Sequence, residues 1–333
     1  MRLGLLLFPE FGPEVPRAQV RRAVLAQAET AEASGWDGVW APTDIGWTRL
    51  QPLALLGAIA AATSRVTVGT AVLLAPLYHP VELAEAAATM DLLSNGRLIL
   101  GLGQGWRAQE FAAAGVPERD RVGRFREMVP LLKRLLEGEE VTAPGRHFQL
   151  DHVAVECRPV QSPRPPIWLG AHRLPAIARA ARLGDAWIGG PFTDRARLAK
   201  QIEVYRAERR ARGLPVDRLP ILRDGFAAAS AKAARRIGEE PLRAKYREYA
   251  ARVGAMAFDV EAPFEELARD RLLWGSPDDW VRELSCYEHE LGVTDVIVRL
   301  QYRGMEPAAA LEAIELVGRE VLPRLAGGRT IMK

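Results

Sequence analysis

The sequence predicts an α/β fold, a (β/α)8 barrel (a TIM barrel) with insertions at its loop ends. Three observations carry that expectation. Apolar runs of strand length alternate with helical patterns along all 333 residues. The runs are continuous rather than alternating, as expected of parallel strands buried on both faces. Eight such runs, nearly all separated by helices, imply right-handed crossovers and favour a closed barrel over an open sheet. With 48% hydrophobic residues the chain can bury a large core. Barrels of this kind run to such lengths as one domain, so residues 1–333 read as a single unit.

The first run, LGLLLF at 3–8, precedes the helical pattern AQVRRAVLAQAETAEASG, which stops at Gly35, a plausible C-terminal glycine. DGVWAP (37–42) is the second strand and a helix follows over 51–63. RVTVGTAVLL (65–74), rich in Val and Thr, is the third. A helix over 80–94 ends at the turn signal Ser94-Asn95-Gly96, and RLILGLG (97–103) is the fourth strand. PIWLGA (166–171), a helix over 175–182, DAWIGG (185–190), a helix over 194–212, PILRDGFAAA (220–229), and DVIVRL (295–300) with a helix over 307–322 complete the set. Two segments break the rhythm. Residues 138–160 read as short strands with turns, and residues 231–275 as charged helix with no strand of its own. Both read as insertions expected to shape a substrate pocket.

Charge is balanced, 45 Lys+Arg against 42 Asp+Glu, a formal net charge of +3. There is no basic stripe interleaved with aromatics, so nucleic acid is not an expected partner. Cys157 and Cys286 lie far apart without a CxxC, neither a disulfide framework nor a metal motif, and they fit a reducing cytoplasm. The five histidines show no HExxH or histidine–carboxylate cluster, so no metal is expected. No stretch approaches the roughly 18 apolar residues of a membrane span, and the N-terminus reads as a first strand, not a signal peptide.

The chemistry concentrates where strands end. RLILGLGQGW (97–106) runs from a strand into Gly101, Gly103 and Gly105. A dinucleotide fingerprint needs G-x-G-x-x-G at the first strand and an acidic residue ending the next. Here the pattern is G-x-G-x-G, on the fourth strand, with RDRVGRFRE about twenty residues on. The glycines therefore either permit tight packing or present bare backbone to a ligand at the C-terminal rim, where barrel enzymes keep their sites. Trp106 adds a flat apolar wall. Strand two ends at Thr43-Asp44, with Asp44 a candidate general acid or base, or a helix cap or turn. Gly69, Thr70 and Ala71 end strand three, and His79 opens the next helix in a structural or a catalytic role. Gly170, Ala171, His172 and Arg173 lead into a helix whose free amides, with Arg173, form a candidate anion site. Arg223 and Asp224 on strand seven read as a simple ion pair or a site.

The stretch SRVTVGTAVLLAPLYHPVELAEAAATMDLLSNGRLILGLGQGWRAQEFAAAGVP (64–117) resembles the bacterial luciferase-like flavin oxidoreductase superfamily. RFREMVPLLKRLLEG, RPVQSPRPPIWLGA, ARAARLGDAW and WGSPDDWVRELSCYEHELGVTDVIVR extend the match over most of the chain, weakest over 231–270. The resemblance implies a (β/α)8 barrel binding FMN or the deazaflavin coenzyme F-420. It implies a strand-three bulge at Ala71–Val72 against the cofactor ring, often with a non-prolyl cis peptide. It carries the strand-four loop onto Gly103, Gln104, Gly105 and Trp106, and the tail-binding segment onto Gly170, Ala171, His172 and Arg173. Two positions depart from the pattern. Asp44 stands where many members carry a catalytic His, and Trp106 stands where deazaflavin sugar-phosphate dehydrogenases carry a Glu, which argues against that activity.

The leading expectation is a luciferase-like monooxygenase using reduced FMN and oxygen on a small organic substrate, the flavin supplied by a separate flavin reductase. The alternative is a deazaflavin-dependent hydride-transfer oxidoreductase, and the second alternative a non-catalytic flavin-binding barrel. A cytoplasmic homodimer is expected by resemblance, with no membrane association.

Overall fold

The computed structural model describes residues 1–7, 16–43, 50–253 and 258–326. Its strands are β1 (Arg2–Leu6), β2 (Gly38–Ala41), β3 (Thr67–Thr70), β4 (Leu73–Leu74), β5 (Leu98–Gly103), β6 (Val141–Pro144), β7 (Gln149–Val153), β8 (Ile167–Gly170), β9 (Ala186–Ile188), β10 (Pro220–Ala227), β11 (Leu273–Gly275) and β12 (Asp295–Arg299). The main sheet runs β11-β10-β12-β1-β2-β3-β5-β8-β9, with β4 on β5. Its neighbouring strands are parallel. Just past β9, Gly189 bridges to Ile221 of β10. Its N–H donates to the Pro220 carbonyl at 2.9 Å, and its own carbonyl accepts from Leu222 N at 2.8 Å. The sheet is therefore curled, and each of the eight expected strands is present in it.

Both faces of this sheet are apolar, which is why its strands show no alternation in sequence. Leu3, Leu5, Val68, Leu100 and Val298 pack outward against helices. Leu6, Trp40, Ala71, Ile99, Trp168 and Ile297 form a separate cluster on the inner face. Trp40 lies within that interior, and its ring stacks on Trp168 at 5.2 Å and 23°. A Cβ at Gly4 or at Gly69 would lie 2.3 Å from the Trp40 ring, so the glycines of β1 and β3 are the space the indole occupies. Arg218 lies over Trp168 at 5.1 Å and pairs with Asp295, closing the N-terminal end.

Helix boundaries follow local chemistry. The Gln51 side chain accepts from Ala54 N at 2.8 Å ahead of the helix Pro52–Ala62, which begins on proline. Ser276 and Asp279 form a capping box on the helix Pro277–Leu291. His79 caps the helix Pro80–Leu93, its Nδ1 accepting from Val81 N at 3.4 Å, and packs edge-on against Phe148. That is the structural of its two expected roles.

Residues 138–160 hold the antiparallel pair β6–β7. The Glu127 carboxylate accepts from His147 N and Phe148 N, so the pair is fastened to the helix Arg121–Glu137. The expectation of no strand in 231–275 needs correction. After the helix Ala231–Val253 and the short helix Phe264–Ala268, β11 pairs with Gly225–Ala227 of β10. Three residues are too few to show a period. The partner edge exists only because β10, at eight residues, runs past the five it shares with β12.

Candidate active site

The ends of β3, β5 and β8 meet at Val72. The Ala71–Val72 peptide is cis, as the resemblance implies. Ala71 N donates to the Ala41 carbonyl at 2.9 Å, and Thr43 N donates to the Val72 carbonyl at 3.1 Å, so the bulge is tied to the end of β2. The Thr70 hydroxyl donates to the Gly101 carbonyl and accepts from Gly101 N, both at 2.8 Å. Val72, half-buried, stands between Gly103 and Gly170. A Cβ on Gly103 would lie 2.6 Å from Val72 Cγ2, and one on Gly170 3.1 Å from Cγ1. Ala71, Val72, Gly103 and Gly170 thus form one bed of backbone and small side chains. The Thr43 hydroxyl beside it is buried with no hydrogen-bond partner among the described residues.

The other expected residues divide. Gln104 accepts from Arg179 Nη2 at 2.9 Å, turned toward the helix Leu174–Leu183. Gly105 has φ +70°, where other residues are strained, and packs on Phe111. Trp106 is 40% exposed, with Tyr249 of the helix Ala231–Val253 at 5.6 Å. Ala171 is buried, and its carbonyl accepts from Trp187 Nε1. The His172 ring lies against Gly190. Although solvent reaches this side chain, protein surrounds it closely, and that desolvation together with Arg197 holds its pKa below the ordinary value. Arg173 is exposed at the helix start. The expected nest of free amides is weaker than the sequence suggests, because Pro175 has no N–H and Ala176 N is spent on the Arg173 carbonyl. Asp44 lies outside the described residues.

Arg223 and Asp224 do not pair with each other, which corrects the ion-pair reading. Neighbours on a strand face opposite ways. Arg223 points outward, its guanidinium donating to Tyr287 OH at 2.9 Å and to the Gly190 carbonyl at 3.1 Å. Asp224 shares the inward phase of Leu222 and takes its charge partners from elsewhere. Lys245 Nζ lies 2.6 Å from its Oδ2, the Tyr246 hydroxyl donates to the same oxygen at 2.9 Å, and Arg299 Nη1 is 3.6 Å from Oδ1. Burial pushes the Asp224 pKa up, but Lys245 and Arg299 outweigh it and hold the carboxyl below the usual range. Asp224 is therefore ionised at neutral pH and already engaged. Burial and the Asp224 charge raise Tyr246 and Tyr302 well above the ordinary phenol, and burial raises Tyr249 to about 12, so all three stay protonated.

Lys245, Tyr246 and Tyr249 were not among the residues expected from sequence. They belong to the insertion, and only its folding back over the strand ends brings them there. Asp224 and Arg299 carried a signal, since each lies two residues beyond an inward-facing residue, Leu222 and Ile297. Phe192, after β9, packs on Tyr249 at 4.6 Å and on Tyr246 at 5.7 Å, so an aromatic wall runs from Trp106 across the helix. Together these groups can back a flat ring, hold an apolar substrate body and keep ionised and protonated groups in fixed positions.

The sequence profile of the luciferase-like monooxygenase family matches residues 1–295. An uncharacterised protein, y4vJ, of Sinorhizobium fredii is 33% identical over 182 residues, a match spanning 54% of this chain and 52% of that protein. An F-420-dependent glucose-6-phosphate dehydrogenase of Beutenbergia cavernae is 30% identical over 339 residues, covering 91% of this chain and 93% of that protein. The crystal structure of the monooxygenase RslO1 from Streptomyces bottropensis superposes with a TM-score of 0.89 at 25% identity, covering 98% of this chain and all of that one. With the profile spanning most of its length, the chain belongs to the luciferase-like monooxygenase family.

Proposed function

We propose that the chain is a deazaflavin-dependent oxidoreductase, one closed (β/α)8 barrel that exchanges hydride with a small organic substrate. The observation that carries the flavin-type reading is the bed at Val72, where Gly103 has no room for a Cβ and one on Gly170 would press on the valine. A tricyclic ring needs such a bare surface on one face, and the orphaned Thr43 hydroxyl fits its polar edge. The bridge from Gly189 to Ile221 supports barrel closure. The preference for deazaflavin over FMN, the reverse of the expectation from sequence, rests on the Beutenbergia relative, similar over nearly all of both chains.

When bound, the deazaflavin supplies a hydride carrier that does not activate oxygen. The protein's part is positioning and exclusion of water. Val72 and the two glycines support the ring, while Trp106, Phe192 and Tyr249 hold the substrate's apolar body. Tyr249, protonated through neutral pH, can donate to a substrate oxygen. Asp44, next along the chain from Thr43, is the candidate to hold the exchanged proton, since Asp224 is already engaged.

A second reading, a monooxygenase fed with reduced FMN by a separate reductase, is favoured by the close superposition on RslO1. Titration of the purified protein with coenzyme F-420 and with FMN, followed by fluorescence, separates the two. Micromolar or tighter binding of F-420 with no substrate-stimulated oxygen uptake is expected. Binding of neither cofactor at micromolar level removes both enzyme readings. Unchanged turnover in Asp44→Asn removes the proton role. A cytoplasmic homodimer remains part of the proposal, checked by sedimentation.

A further inference from the structure

Across the barrel mouth from the ring bed stands a buried group of charges that the proposed reaction does not use. From β10 the sheet reaches β3 through β12, β1 and β2, and in the other direction through the Gly189 bridge, β9, β8 and β5. In a closed barrel β10 and β3 are therefore opposite strands, and the inward side chain of Asp224 stands across the mouth from Val72. Asp224 is the register partner of Arg299, the last residue of β12, and the two are 1% and 7% exposed. Lys245 reaches in from the helix Ala231–Val253. Its Nζ lies 2.6 Å from Asp224 Oδ2 and 5.0, 5.5 and 5.7 Å from the ring centroids of Tyr246, Phe192 and Tyr302. The Tyr302 hydroxyl donates to the Gly225 carbonyl at 3.0 Å and so fixes the backbone next to the carboxylate. Buried ion pairs are a poor source of stability, because apolar residues of similar volume often serve as well or better. Three charges held together at the mouth of a pocket call for another role.

We propose that Asp224 sets the charge of the substrate: it occupies the cationic side of the pocket, so that the site takes an uncharged compound with an aromatic or alicyclic body and rejects those bearing phosphate or carboxylate. This rests on the flavin-type reading, which puts the substrate between the ring and Asp224, and it holds for either cofactor. Lys245 and Arg299 are cations that would draw a phosphate or a carboxylate into this space, and both face Asp224. An entering anion would have to part the 2.6 Å contact and stand beside a buried carboxylate, in surroundings where screening is weak. An uncharged ketone or alcohol meets no such penalty, and its body packs on Trp106, Phe192 and Tyr249, which already touch one another through Tyr249. Asp224 thus acts on specificity without touching the reacting atoms.

The test adds inorganic phosphate to wild type, Asp224→Asn and Asp224→Asn/Lys245→Met. Binding is read by calorimetry and by the rise in Tm over that in chloride of equal ionic strength. Asp224→Asn should bind phosphate about tenfold more tightly than wild type, and adding Lys245→Met should remove most of that gain. Equal phosphate affinity in wild type and Asp224→Asn, or a gain that survives Lys245→Met, overturns the proposal. Wild type supplies a second measurement should Asp224→Asn fail to fold. Acetophenone and para-acetylbenzoate, which differ by one carboxylate, are titrated into the cofactor-loaded protein. Acetophenone should bind about tenfold more tightly. Equal or tighter binding of para-acetylbenzoate, or binding of neither at millimolar concentration, overturns the proposal. The phosphate titration needs no cofactor. Failure of both F-420 and FMN to bind therefore removes the flavin-type reading and the placement of the substrate, whereas loss of charge discrimination with either cofactor bound removes this inference alone.

Discussion

Replacing Gly103 by alanine probes the ring bed where its geometry is most constrained. The new Cβ would stand 2.6 Å from Val72 Cγ2, whereas carbon atoms rest at about 3.5–4.0 Å. Valine is stiff at χ1, so rotation cannot absorb a misfit of about 1 Å. Overpacking of this kind costs about 1–3 kcal/mol. If the backbone yields, the cost appears as lost stability, about 2–4 °C in Tm per kcal/mol for a domain approaching this size. If Val72 yields toward the ring, the same energy appears as weaker cofactor binding, about 5- to 150-fold in Kd. Paired thermal melts and fluorescence titrations of Gly103→Ala, Val72→Ala and the double variant separate the two routes, because Val72→Ala removes the obstructing methyl groups. The double variant should recover most of what Gly103→Ala loses. Unchanged Tm and Kd in Gly103→Ala, or losses that simply add in the double variant, would refute the reasoning.

Trp40→Ala leaves a cavity on the inner face of the sheet and should destabilise by about 3–5 kcal/mol, seen as a lower denaturant midpoint with cofactor absent. Asp224→Asn removes the charge of a buried carboxylate that Lys245 and Arg299 both face, and a loss of about 3–5 kcal/mol is expected in the same assay; a midpoint within error of wild type would contradict the burial argument. Glu32 predicts part of the acid profile. Slight desolvation raises its pKa, but the N–H groups of Arg65, Val66 and Ser64 outweigh this and hold it at about 2, against 4.5 for a free carboxyl. A depressed folded-state pKa stabilises above the unfolded value and is lost as pH falls through the folded one. Stability should therefore decline from about pH 4.5 toward 2, and less steeply in Glu32→Gln.

The eight strands were legible because burial on both faces leaves an apolar run that needs no partner to be recognised. The bed was legible through Gly103 and Gly170, whose missing side chains mark a close approach, although sequence did not say that the approaching group would include Val72 itself. Gly105 answers to a different constraint, its positive φ and the Phe111 ring, so adjacent glycines of one motif do separate work. β11 escaped notice because three residues have no period. Residues 231–275 were legible as helix but not as a roof, since their amphipathic pattern says that a face is buried without saying against what.

By itself the sequence determined the order of strands and helices, the family, and the small residues at the ends of β3, β5 and β8. These are local or periodic properties, written within a few residues of one another. Tertiary structure alone decided the charge partners. Asp224 finds Lys245 about twenty residues away and Arg299 on the next strand of the sheet, instead of its neighbour Arg223. Strand pleating sends adjacent side chains to opposite faces, and the curl of the sheet brings distant strand ends to one rim.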